Sequence, residues 1–102
     1  MSSLKIHKDN FDQVKHSERP VLLDFYADWC GPCRMVSPIV EEIAEEHPEI
    51  LVGKVNVDEE QELAQAFGVI SIPMLALVKN GKVVRQIVGA RPKAQILAML
   101  EE

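Results

Sequence analysis

Val21-Leu22-Leu23-Asp24-Phe25-Tyr26-Ala27, running into Asp28-Trp29-Cys30-Gly31-Pro32-Cys33, decides how this chain folds. The first seven residues are continuously apolar except for Asp24, the pattern of a central strand buried on both faces. The only two cysteines follow, three positions apart, where that strand should give way to a helix. On a helix, residues i and i+3 share one face with Cβ atoms about 5–6 Å apart. A small adjustment brings such a pair to disulfide geometry, so it can alternate between dithiol and disulfide without refolding the chain. A vicinal pair beside a strand–helix–strand pattern points to redox chemistry more than to a structural staple.

Downstream, Val36, Ile39, Val40, Ile43 and Ala44 repeat at helical spacing, Pro38 predicts a kink, and Pro48 ends the helix after His47. Leu51 to Val57 predicts a second strand, and Asp58 with Gln61 predicts a capping box for a short helix stopped by Gly68. Leu75–Lys79 and Lys82–Val88 flank Asn80-Gly81, the strongest short-range signal for a hairpin. A last helix is predicted from Pro92, burying Ile96, Leu97 and Leu100. Upstream, Leu4 to Ile6 predicts a short strand, and Asp9 is expected to cap a short helix carrying Phe11 and Val14. Strands alternating with helices and ending in a hairpin imply an α/β fold, a mixed sheet covered by helices. The cysteines then fall at the carboxyl end of a central strand, where open α/β sheets hold their sites.

At 102 residues the chain is expected to be a single domain over residues 1–102, and its 47% apolar content argues against disorder. The formal net charge of −5 argues against a nucleic-acid partner or an anionic membrane surface. No apolar run approaches the ~20 residues of a membrane span, and residues 1–8 lack signal-peptide character, so a cytoplasmic location is expected. In a reducing cytosol a lone vicinal pair is catalytic or metal-binding. Against zinc, structural sites need four ligands, and His7, His16 and His47 show no paired ligand spacing; no metal is expected. Inert core thiols are the other alternative.

Five segments carry a family resemblance: DFYADWCGPCR at 24–34, KVNVDEE at 54–60, FGVISIPM at 67–74, KNGKVV at 79–84 and VGA at 88–90. In order and spacing the chain resembles the thioredoxin family along nearly its whole length. The resemblance implies a thioredoxin fold, with a central mixed five-stranded sheet flanked by four helices. It also implies a protein-disulfide reductase, a thiol–disulfide oxidoreductase of electron transport and cell redox homeostasis. Such a protein binds no cofactor, relies on its own redox-active Cys30–Cys33 disulfide, and is recharged by a thioredoxin reductase. Tyr26 stands where many members carry Trp, Arg34 where Lys is frequent, and Val78 where Phe is common. Met74 replaces the usual Thr after the key proline and is expected to border the active surface, where it bears on client preference.

Cys30 is expected at the helix N-terminus, where unpaired N–H groups and the macrodipole stabilise a thiolate, as in thioredoxins, making it the attacking nucleophile. Cys33, one turn inside, is expected to resolve the mixed disulfide. Gly31 leaves room for a partner's backbone, and Pro32 fixes φ at the helix start. Asp24 is costly in a buried strand unless paired or protonated, and burial raises its pKa. It is either the base that takes the Cys33 proton or a structural carboxylate satisfied by donors or an ion pair. Lys54 matches the family lysine near that carboxylate, and equally fits a solvated edge charge.

The resemblance further implies that Ile72-Pro73 forms a cis-proline turn facing the cysteines, exposing the Ile72 backbone to an extended client peptide. Trp29, Gly31, Pro32 and Val57, together with Ile72, Pro73, Val88, Gly89 and Ala90, are expected to form a shallow apolar patch that docks disulfide-containing client proteins. The acidic run Glu41-Glu42 with Glu45-Glu46 is expected to be a solvated helix face. A monomer is expected, since such a patch suits transient contacts. Two alternatives remain: a disulfide isomerase or oxidant, which Gly31-Pro32 argues against, and a non-enzymatic thioredoxin-fold binding subunit.

Overall fold

Five strands and four α-helices form around one sheet in a computed structural model that describes residues 2–102. The strands are β1 (Leu4–Lys5), β2 (Val21–Tyr26), β3 (Leu51–Asn56), β4 (Met74–Lys79) and β5 (Lys82–Val88). The helices are α1 (Asp12–Lys15), α2 (Gly31–Glu46), α3 (Gln61–Ala66) and α4 (Lys93–Met99), with a 3₁₀ turn at Lys8–Asn10. The spatial order is β1-β3-β2-β4-β5, so β2 lies at the centre. It runs parallel to β3 and antiparallel to β4, which makes the sheet mixed.

Alternation along β2 divides the core in two. Leu22 packs with Val36, Val40 and Ile43 of α2 and Ile96 of α4. Val21, Leu23 and Phe25 pack on the opposite face with Val14 of α1 and, from α3 and its end, Leu63 and Phe67. The Phe25 and Phe67 rings meet at 5.1 Å between centroids. Each fully buried side chain of this size contributes about 1.5–3 kcal/mol. With Leu22, Leu23 and Phe25 all fully buried, β2 can carry one costly carboxylate, Asp24, on the α2 face.

Turn chemistry fixes the ends of these elements. Gly68, at φ +66°, closes α3: its N–H bonds Gln65 O at 3.0 Å and the Val69 N–H bonds Ala64 O at 2.9 Å. That pair of bonds is a Schellman cap, whose left-handed residue suits glycine. Asn80 (φ +54°) and Gly81 (φ +75°) join β4 to β5 as a two-residue turn with both residues left-handed. α2 continues through Pro38, which withholds one N–H from its ladder, and ends at His47 as predicted.

Two local expectations need correction. Asp9 caps nothing: it lies inside the 3₁₀ turn, whose entry is held by Asn10 Oδ1 accepting the His7 N–H at 2.8 Å. Asp58 does not cap α3 either, because Glu60 occupies the N-cap position and the Asn56 side chain takes the Asp58 N–H at 2.9 Å. The acidic face of α2 is solvated as expected, with Glu42, Glu45 and Glu46 exposed, and Lys93 of α4 bridges Glu42 (2.9 Å) and Glu46 (2.7 Å) at the surface. Among the described residues, no helix is long and apolar enough to cross a membrane.

Candidate active site

Cys30 is the N-cap of α2, in extended conformation, and its sulfur accepts the Cys33 backbone N–H at 3.2 Å. The sequence places it there because Pro32 suits the first turn of a helix and has no N–H to satisfy. Cys30 and Cys33 form a disulfide with Cα atoms 5.3 Å apart, inside the range that needs no backbone movement. Both are buried, at 5% and 3% exposure, so exposure alone barely separates them. Position does: the Cys30 sulfur sits at the positive end of α2, 3.9 Å from the carbonyl oxygen of Ile72, while Cys33 lies inside the first turn.

Around this pair the loops converge. Ala27 and both cysteines form a small cluster against which Tyr26, Val57 and Ile72 pack. The Ile72–Pro73 peptide bond is cis. Gly31 and Pro32 are exposed, Trp29 is 68% exposed, and Val88 is 48% exposed. Gly89 is tied to the cis turn by its N–H on Pro73 O at 2.8 Å, and exposed Ala90 follows it. Pro73 is the exception within the expected patch, for its ring is buried. Met74 departs from expectation in the same way: at 2% exposure it packs in the core beside Phe25, because β4 is covered on both faces. Any influence of Met74 on a client must therefore pass through packing.

Beneath α2, Asp24 is completely buried, and neither carboxylate oxygen has a hydrogen-bond partner among the described residues. Burial pushes its pKa up to about 6, against the pull of the Lys54 ammonium and with a further push from Glu41. Lys54 stands opposite Asp24 in the β2–β3 register and is half-buried, not a free edge charge. Its Nζ donates to Ser37 Oγ and lies 4.8 Å from the Tyr26 ring centroid.

Two functional candidates escape a sequence reading. Asp58 Oδ2 accepts the Trp29 indole N–H at 2.8 Å, orienting the exposed ring beside the cysteines. Its proximity to Gln61 imitates a capping signal, which hides that contact. Ser37 lies four residues after Cys33, a spacing that puts both on one helix face and was the available clue. No group of three or more His, Cys, Asp or Glu is placed to hold a metal among the described residues.

Comparison with known proteins agrees with this geometry. The Thioredoxin family model matches residues 2–102. The chain is 49% identical over 94 residues to a thioredoxin of Alicyclobacillus acidocaldarius, covering 91% of this chain and 90% of that one. It is 47% identical over 93 residues to a bifunctional thioredoxin reductase/thioredoxin of Mycobacterium leprae, covering 90% of this chain and 20% of that one. The solved structure of a mutant thioredoxin from Halobacterium salinarum superposes with a TM-score of 0.90 at 39% identity, covering 98% of this chain and 89% of that one.

Proposed function

The chain belongs to the thioredoxin family of thiol–disulfide oxidoreductases, and from that premise we propose a specific division of labour among its residues. Cys30 attacks a client disulfide, Cys33 resolves the mixed disulfide, and Asp24 takes the Cys33 proton. The observation that carries this reading is the placement of the Cys30 sulfur as N-cap of α2, accepting the Cys33 N–H beside the Ile72 carbonyl.

In the reduced protein the helix terminus favours the Cys30 thiolate. That thiolate attacks one sulfur of the client disulfide, forming a Cys30–client bond and expelling the other client sulfur as a thiolate. The Cys33 S–H then gives its proton to the Asp24 carboxylate, and the Cys33 thiolate attacks the Cys30 sulfur. The Cys30–client bond breaks, the second client sulfur leaves as a thiolate, and the Cys30–Cys33 disulfide remains. Two electrons have passed to the client, whose thiolates take protons from water. A carboxyl at about 6 suits Asp24 to this work, being a good enough base near neutrality to accept the proton and a strong enough acid to lose it.

Trp29, Gly31, Pro32, Val57, Ile72, Val88, Gly89 and Ala90 serve as the client-docking face, with Pro73 acting beneath it by holding the Ile72 backbone. An extended client segment pairs with that backbone as an added strand. The docking face suits transient contacts by a monomer in the cytoplasm. Electrons come from a separate thioredoxin reductase, a partnership supported by the M. leprae relative, whose name joins both proteins in one chain.

A protein-disulfide reduction assay tests the reading. The reduced protein is expected to cleave a client disulfide while forming one Cys30–Cys33 disulfide per client. Cys30→Ser is expected to lower the rate to that of the uncatalysed background. Reduction that survives Cys30→Ser unchanged contradicts the assignment.

A further inference from the structure

Ser37 takes no part in the exchange, yet its hydroxyl accepts a hydrogen bond from Lys54 Nζ across the gap between α2 and β3. Tyr26, at the end of β2, holds the same ammonium from another side, with its ring centroid 4.8 Å from Nζ. A cation over an aromatic face at that distance is attracted by the ring quadrupole. These three side chains, with Cys33 and Arg34, line a cavity of about 310 Å³ next to the cysteine helix turn. Asp24 lies opposite Lys54 in the sheet register, under the same helix.

A lysine ammonium is a strongly hydrated charge on a flexible four-carbon stem. Left alone, it would sample positions out in water, where the charge is screened from Asp24. A hydroxyl from α2 and a ring from β2 remove that freedom from two directions. We propose that Ser37 and Tyr26 are positioning residues that clamp the Lys54 ammonium at the cavity mouth beside Asp24, setting the charge environment in which Asp24 gains and loses its proton.

The consequence for the exchange rests on Asp24 being the proton acceptor; the clamp itself does not. Of the elements packed around Asp24, β3 supplies Lys54, which favours the ionised form, and α2 supplies Glu41, which disfavours it. β4 places uncharged Leu75 opposite it, and Lys93 of α4 is already engaged by Glu42 and Glu46.

The test is the titration midpoint of the Asp24 carboxyl, followed by infrared or carbon NMR in the intact oxidised protein. Ser37→Ala and Tyr26→Leu are each expected to raise the midpoint, and Lys54→Met to raise it further. Ser37→Thr and Tyr26→Phe, which keep the hydroxyl and the ring, should leave it near the original value. In a Lys54→Met background, Ser37→Ala should add nothing. An unmoved midpoint in both Ser37→Ala and Tyr26→Leu overturns the clamp, as does an equal Ser37→Ala shift with Lys54 already gone. If the midpoints move as expected while the pH profile of client release does not follow them, the clamp stands and the base role of Asp24 fails.

Discussion

With Cys33 replaced by Ser, the protein is expected to stop at the mixed disulfide and accumulate covalently bound client. Cys30 keeps its N-cap position, so attack proceeds. The sulfur that should displace the client, one helical turn away with a Cα–Cα distance of 5.3 Å, is missing. Turnover should fall on the order of 10³-fold or more, the scale seen when one member of a group acting as a unit is lost. Non-reducing electrophoresis with mass spectrometry checks this, and the adduct should map to Cys30 and dissolve on adding a small thiol. Client retained without a covalent bond would instead identify a binding subunit. Rapid release without Cys33 would remove its resolving role.

Asp24→Ala is expected to stabilise the fold while slowing catalysis. The carboxyl is raised from 3.8 unfolded to about 6 folded, so between those values the folded protein holds a proton that the unfolded chain has lost. Stability therefore falls as pH rises through that window, and the full penalty, about 3 kcal/mol, stands above it. Removing the carboxylate should return most of this, giving a variant about 2–3 kcal/mol more stable at pH 8 and nearly equal at pH 4. Urea unfolding of both proteins across that range checks the difference, and a gap that does not widen with pH contradicts the burial argument. In rapid-quench experiments the same variant should accumulate mixed disulfide, because under the proposed division of labour attack by Cys30 does not need Asp24 and release by Cys33 does.

These two effects sit on residues legible from sequence, and the reason is physical. β2 announces itself because a strand covered on both faces must be apolar throughout, which makes Asp24 conspicuous as the one exception. The Asn80-Gly81 turn and the Gly68 cap are equally plain, since few residues tolerate left-handed backbone. What sequence hides is competition for the same polar side chain. Asp58 has the spacing of a helix cap, but the Trp29 indole takes its carboxylate and Asn56 satisfies the backbone nearby. Met74 follows the cis turn and so suggests the surface, yet β4 is buried on both faces and turns it inward. Ser37 offers only its spacing from Cys33 as a clue, and its contact with Lys54 exists only once α2 lies across β3.

The reduction potential of the Cys30–Cys33 pair, measured by equilibration in defined thiol/disulfide buffers, decides whether this protein reduces or oxidises its clients. A protein-disulfide reductase requires a value more negative than the extracted cytosolic glutathione poise of roughly −220 to −260 mV, and that is the result expected. A value near or above roughly −180 mV would place the protein among disulfide oxidants and isomerases, and would contradict the account.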